Sequence, residues 1–70
     1  MDLKGMIQTL GMLYRDWIAV NPTCTSGKAD ELSAELTNAL TALECGMKDV
    51  AEHCYRSARE LAQEIGIVLM

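Results

Sequence analysis

Residues 32–68 read LSAELTNALTALECGMKDVAEHCYRSARELAQEIGIV, and the spacing of their apolar side chains decides the fold. Leu32, Leu36, Leu40, Leu43, Met47, Val50, Cys54, Ala58, Leu61, Ile65 and Val68 recur about every 3.6 residues, the period of a straight α-helix. At about 100° per residue, all of them fall within roughly 40° of one line. Charges gather on the opposite side, at Lys48, Asp49, Glu52, Arg56, Arg59 and Glu60. Glu44 to Lys48 and Glu52 to Arg56 are favourable four-residue pairs worth about 0.3 kcal/mol each.

Upstream lies a second helical pattern. Leu3, Met6, Ile7, Leu10, Leu13, Tyr14, Trp17, Ile18 and Val20 are spaced by threes and fours and predict a helix over about residues 2–20. Its apolar arc is wide, roughly 160°, and it holds only four charged residues. Gly5 and Gly11 each cost a helix about 1 kcal/mol relative to Ala, a cost that close approach of another helix would justify. Asn21-Pro22 stops the helix, because proline disfavours helical backbone before it and lacks a donor. Residues 21–27, NPTCTSG, form a loop by composition, with Thr25 or Ser26 suited to cap the next helix.

The second helix is then expected over about residues 28–66. Gly46 is its weak point. A break there, with Asp49-Val50-Ala51-Glu52 as a capping box, gives three helices. The unbroken phase of Leu43, Met47 and Val50 favours one helix. The fold expected is all-α: a single-domain, two-helix antiparallel hairpin with a long second helix. A helix of about 40 residues is about 60 Å long, and a first helix of about 18 residues covers less than half of it. The remaining stripe calls for a second copy, giving a four-helix-bundle-like homodimer. The expected dimer interface is Leu10, Tyr14, Trp17, Val50, Cys54, Ala58, Leu61, Ile65 and Val68. An outside protein is expected along Tyr55, Arg59, Ile67, Leu69 and Met70, beside free apolar groups at Met12 and Ile18. Gly66 reads either as a helix cap, with the tail folding back, or as part of a continuing helix.

Composition bounds the function. Seventy residues build only a small core, and the net charge of −4 lacks the basic footprint that releases phosphate counterions. Nucleic acid is therefore not an expected partner. No stretch approaches the ~18 apolar residues of a membrane span, so no membrane partner is expected either. Three cysteines are an odd count for a secreted scaffold, and no basic region precedes a long apolar run at the amino terminus, which together point to a reducing cytoplasm.

Catalytic and metal chemistry find little support in these residues. On one helix, Cys45 and Cys54 would project about 180° apart and ~13 Å along the axis, too far to share a metal or a disulfide. His53 diverges from Cys54 by about 100°. Ser26, Ser33 and Ser57 have no adjacent base with an orienting partner. Glu31, Glu35, Asp49 and Glu52 read as solvated faces. No catalytic residue, metal or cofactor is expected.

The expected function is protein–protein interaction without catalysis, by a small dimeric adaptor or inhibitor. The alternatives are a subunit or chaperone of an obligate hetero-complex and, less favoured, a thiol or metal sensor. In size and shape such a hairpin is similar to small helical proteins of phages, plasmids and secretion systems, although no motif ties it to one family.

Overall fold

The computed structural model describes residues 2–21 and 27–67. They form three helices of equal length: α1 (Leu3–Val20), α2 (Gly27–Glu44) and α3 (Lys48–Ile65). The protein is all-α, and helix α1 matches the predicted span. The long second helix does not exist as one piece. The greatest extent of the molecule is 36 Å, far short of the ~60 Å that an unbroken helix over residues 28–66 requires.

The break is made by local backbone chemistry at Gly46. Its φ is +77°, the left-handed region that costs an L-residue roughly 1–2 kcal/mol and glycine almost nothing. Two bonds then close the end of α2: Met47 N–H donates to Ala42 O at 2.8 Å, and Gly46 N–H to Leu43 O at 3.1 Å. This is a Schellman ending, which satisfies carbonyls that the helix would otherwise orphan. Met47 serves both sides of the turn. It ends α2 and caps α3, and its carbonyl accepts from Ala51 N–H at 3.0 Å. Helix α3 therefore starts at Lys48, with no side-chain cap, rather than at a capping box on Asp49. Glu44 and Lys48 lie on different helices and are no longer a four-residue helical pair.

Helix α3 ends in the same way. Gly66 has φ +99°, Ile67 N–H donates to Ala62 O at 2.9 Å, and Gly66 N–H to Gln63 O at 3.2 Å. Ala42-Leu43-Glu44-Cys45-Gly46-Met47 and Ala62-Gln63-Glu64-Ile65-Gly66-Ile67 are two instances of one ending. The capping reading of Gly66 holds, and Ile67 folds back until only 6% of it is exposed. Helix α1 is bounded by side chains instead. Asp2 Oδ1 accepts from Gly5 N–H at 2.8 Å, and Asn21 Nδ2 donates to Trp17 O at 2.9 Å. The expected Thr25 or Ser26 cap lies outside the described residues.

With the turn in place, α3 runs back along α2. Lys28 Nζ near the start of α2 lies 3.0 Å from Glu64 Oε2 near the end of α3. The seam is lined by small residues: Ala39, Ala51, Ala58 and Ala62 are 0% exposed, beside Leu32 at 0%. Small side chains at a helix contact let the axes approach closely. Helix α1 lies antiparallel to α2, since Lys4 borders Leu40, Leu43 and Glu44 while Met12 and Arg15 border Leu36. It drives Ile7 and Leu10 into the core, with Leu3, Leu13, Tyr14 and Trp17 packed around them. No buried polar or charged side chain occurs among the described residues. Gly11 does not mediate close helix approach, because a Cβ there would meet nothing within 4 Å.

Candidate interaction surface

Helix periodicity and the Gly46 turn together fix where each candidate residue sits. Of the expected dimer interface, Leu10, Cys54 and Ala58 are buried within this chain's own core. Tyr14, Trp17, Leu61 and Ile65 are half-buried and pack against that core. Val50 is exposed. Val68 lies outside the described residues. The premise that α3 lacks cover within the chain is therefore wrong in most of its length: α2 supplies the cover once the chain turns at Gly46.

The expected partner edge divides similarly. Arg59 is exposed, Tyr55 is half-buried against the core, and Ile67 is buried by the helix ending. Ile67 is thus a core residue rather than a contact for a partner. Leu69 and Met70 lie outside the described residues, as does Cys24. His53 and Cys45 are exposed. Burial pushes the Cys54 thiol pKa up, and the Glu35 carboxylate adds to the shift, so Cys54 is a neutral core group.

Large apolar side chains remain uncovered in two places. The first is α1, where Met12 and Val20 are exposed. Met12 borders a shallow groove of about 270 Å³ between α1 and α2, lined also by Ile7, Gln8, Gly11, Arg15, Leu36 and Leu40. The open space above Gly11 forms part of it. The second is the α2–α3 turn, where Leu40, Met47 and Val50 are 36%, 52% and 43% exposed. Leu40 and Met47 are the interface candidates that sequence reasoning missed. Both belong to the apolar stripe, and recognising the turn at Gly46 would have marked them as left outside it.

A third surface differs in chemistry. Glu31 and Glu35 on α2 face Glu60 and Glu64 on α3 across an open groove of about 450 Å³ floored by Ala34, Ser57 and Leu61. Lys28 answers the charge of Glu64 at one end, between side chains that are half in water. Such pairs contribute about 0–1 kcal/mol. Among the described residues, no group of three or more His, Cys, Asp or Glu side chains is placed to hold a metal ion. No described helix is long and apolar enough to cross a membrane.

Comparison with known protein families, curated proteins and solved structures finds no match to this chain.

Proposed function

We propose that the chain is a non-catalytic interaction module, a small adaptor or inhibitor that pairs with a second copy of itself and binds and modulates another protein. A reducing cytoplasm is the setting that suits its unpaired thiols. The observation that carries this reading is the pair of uncovered apolar sites, at Met12 on α1 and around the α2–α3 turn. In so small a protein, two such sites are a substantial share of the surface left to water. Apolar groups clustered beside a groove are favourable docking points, because covering them removes apolar area from water at roughly 25 cal/mol per Å². Methionine suits the role, since its flexible, polarizable side chain adapts to varied partner shapes. The α1 groove also offers Arg15 and Gln8 at its rim for orienting polar contacts.

The partner surface is tested with Met12→Asp, a substitution at a site 68% exposed and therefore compatible with folding. Immobilised wild-type and variant chains are compared for the proteins they retain from the native host, after circular dichroism has shown equal helicity. Retained proteins that are lost with Met12→Asp support the proposal. Identical retention by the two chains, or no retention above background by the wild type, refutes it.

A further inference from the structure

We infer that this chain pairs with a second copy by exchanging α3, the turn at Gly46 straightening so that α2 and α3 become one helix that packs against the same helix of the partner. The inference rests on the self-pairing part of the proposed function and states its geometry.

Three observations carry it. The first is phase. Leu36 and Cys54 are both core residues, one on α2 and one on α3. They are eighteen residues apart, five whole helical turns, so in a continuous helix they would stand on one line. Leu40, Met47 and Val50 would lie within about 40° of that line. These are the large apolar residues exposed around the turn in the closed chain. The hairpin therefore interrupts an apolar face that is continuous in the sequence. Straightening the turn restores it.

The second observation is register. Lys28 and Glu64 form an ion pair at 3.0 Å, and each is eighteen residues from Gly46. Gly46 is thus the symmetry point of the hairpin. Two straightened helices lying antiparallel across a two-fold axis at Gly46 keep every α2–α3 pairing in the same register. Each former contact within a chain is remade between chains, including Lys28 with the partner copy's Glu64. Met47 and Val50 then lie beside the two-fold axis, where the other chain covers them.

The third observation is the hinge. Cys45, Gly46 and Met47 are all that separates α2 from α3. None is a proline, and none is β-branched. Short hinges between packed elements favour exchange, because opening costs few contacts and the exchanged form recovers them. Only Gly46 must leave its left-handed conformation.

The decisive variant is Gly46→Ala. A Cβ at Gly46 meets nothing within 4 Å, so the substitution acts on the backbone alone. It strains the closed turn and favours the continuous helix, each by about tenfold or less per chain. With two chains per dimer, the dissociation constant should fall at least about a hundredfold. Chains labelled with ¹⁴N and ¹⁵N are mixed, unfolded and refolded together. The Lys28 amine is then joined to the Glu64 carboxylate by a zero-length carbodiimide crosslink. Mixed-isotope Lys28–Glu64 peptides in the dimer fraction, increased by Gly46→Ala, are the result expected.

A dimer whose Lys28–Glu64 peptides are all of one isotope overturns the exchange and leaves self-pairing standing. A monomer for both wild type and variant overturns exchange and self-pairing together, while retention of outside proteins through Met12 is read separately. Should Gly46→Ala fail to fold, lengthening the hinge with Gly-Ser-Gly-Ser after Gly46 gives the complementary test. The longer hinge should keep the chain closed and monomeric with unchanged helicity. A lengthened chain that dimerises as the wild type does overturns the inference.

Discussion

The α2–α3 seam makes a demand on residue size that is tested by Ala58→Leu. Ala58 is 0% exposed and lies in the core cluster with Leu36, Ala39, Cys54 and Ala62. Leucine adds three carbons where neighbouring small side chains leave little room. Overpacking of this kind typically costs 1–3 kcal/mol, through shifted rotamers and a pushed-apart helix pair. A 70-residue chain with no staple has only about 3–5 kcal/mol of stability to lose. With a urea slope of about 1 kcal/mol/M, the midpoint should fall by about 1–3 M. Urea unfolding followed by circular dichroism at 222 nm, at a fixed low protein concentration, reads this directly. Ala34→Leu is the control, because Ala34 is an exposed residue beside the acidic groove, where substitutions usually stay within about 0.5 kcal/mol. If the seam were loosely packed, leucine at 58 would add apolar area and raise the midpoint. An Ala58→Leu midpoint equal to or above that of the parent would refute the close-packed seam.

Two further outcomes follow from the helix start and the core thiol. Asp2→Ala removes the acceptor of the 2.8 Å bond from Gly5 N–H and should destabilise the chain by about 1 kcal/mol in the same urea assay, whereas Asp2→Asn should recover most of it. Cys54 should resist a thiol reagent in the native state while exposed Cys45 reacts, the two being compared as single-thiol variants, and urea should remove the difference. Because burial, and secondarily Glu35, raises the folded-state pKa of Cys54, the unfolded chain loses that proton first. Stability should therefore fall as pH rises above the ordinary thiol pKa of about 8.5, and Cys54→Ala should flatten that part of the stability–pH curve.

Much of the secondary structure is legible in the residues. The three-four spacing from Leu3 to Val20 gives α1 its limits, and the stop at Asn21 is visible before Pro22. The turn at Gly46 is obscured for a physical reason. Apolar phase is the usual sign of helix continuity, and here it runs unbroken through a residue that ends a helix. What reveals the turn is the shared ending, in which alanine stands four residues before glycine and a large apolar residue follows it, at both Gly46 and Gly66. Reading Gly66 as a cap and Gly46 as merely tolerated treats one pattern in two ways. Alanine is the second obstacle. Ala51 and Ala62 stand about 60–80° off the stripe centre and look peripheral to a large-residue pattern. In a tight helix pair they are central, because small size is what the contact selects.

The consequence for the apolar surface is direct. Side chains expected to await a partner, Cys54 and Ala58 above all, are satisfied within the chain, whereas the groups left uncovered are those at the turn and on α1. Exposure therefore depends on backbone direction at one glycine as much as on hydrophobicity. Arg59 is a surface residue on either reading, since its position on α3 is opposite the stripe whether or not the helix continues.

The twin endings of α2 and α3 also bear on how the chain reaches this shape. Each reversal is encoded in six adjacent residues, and the helices that meet at Gly46 are neighbours along the chain. Pairing them closes only a short loop, the kind of local encounter associated with rapid folding. Helix α1 joins from across residues 21–27 and has no such short tether to α3. The order this implies is hairpin first and α1 afterwards, with α1 the first element to leave when the chain begins to open.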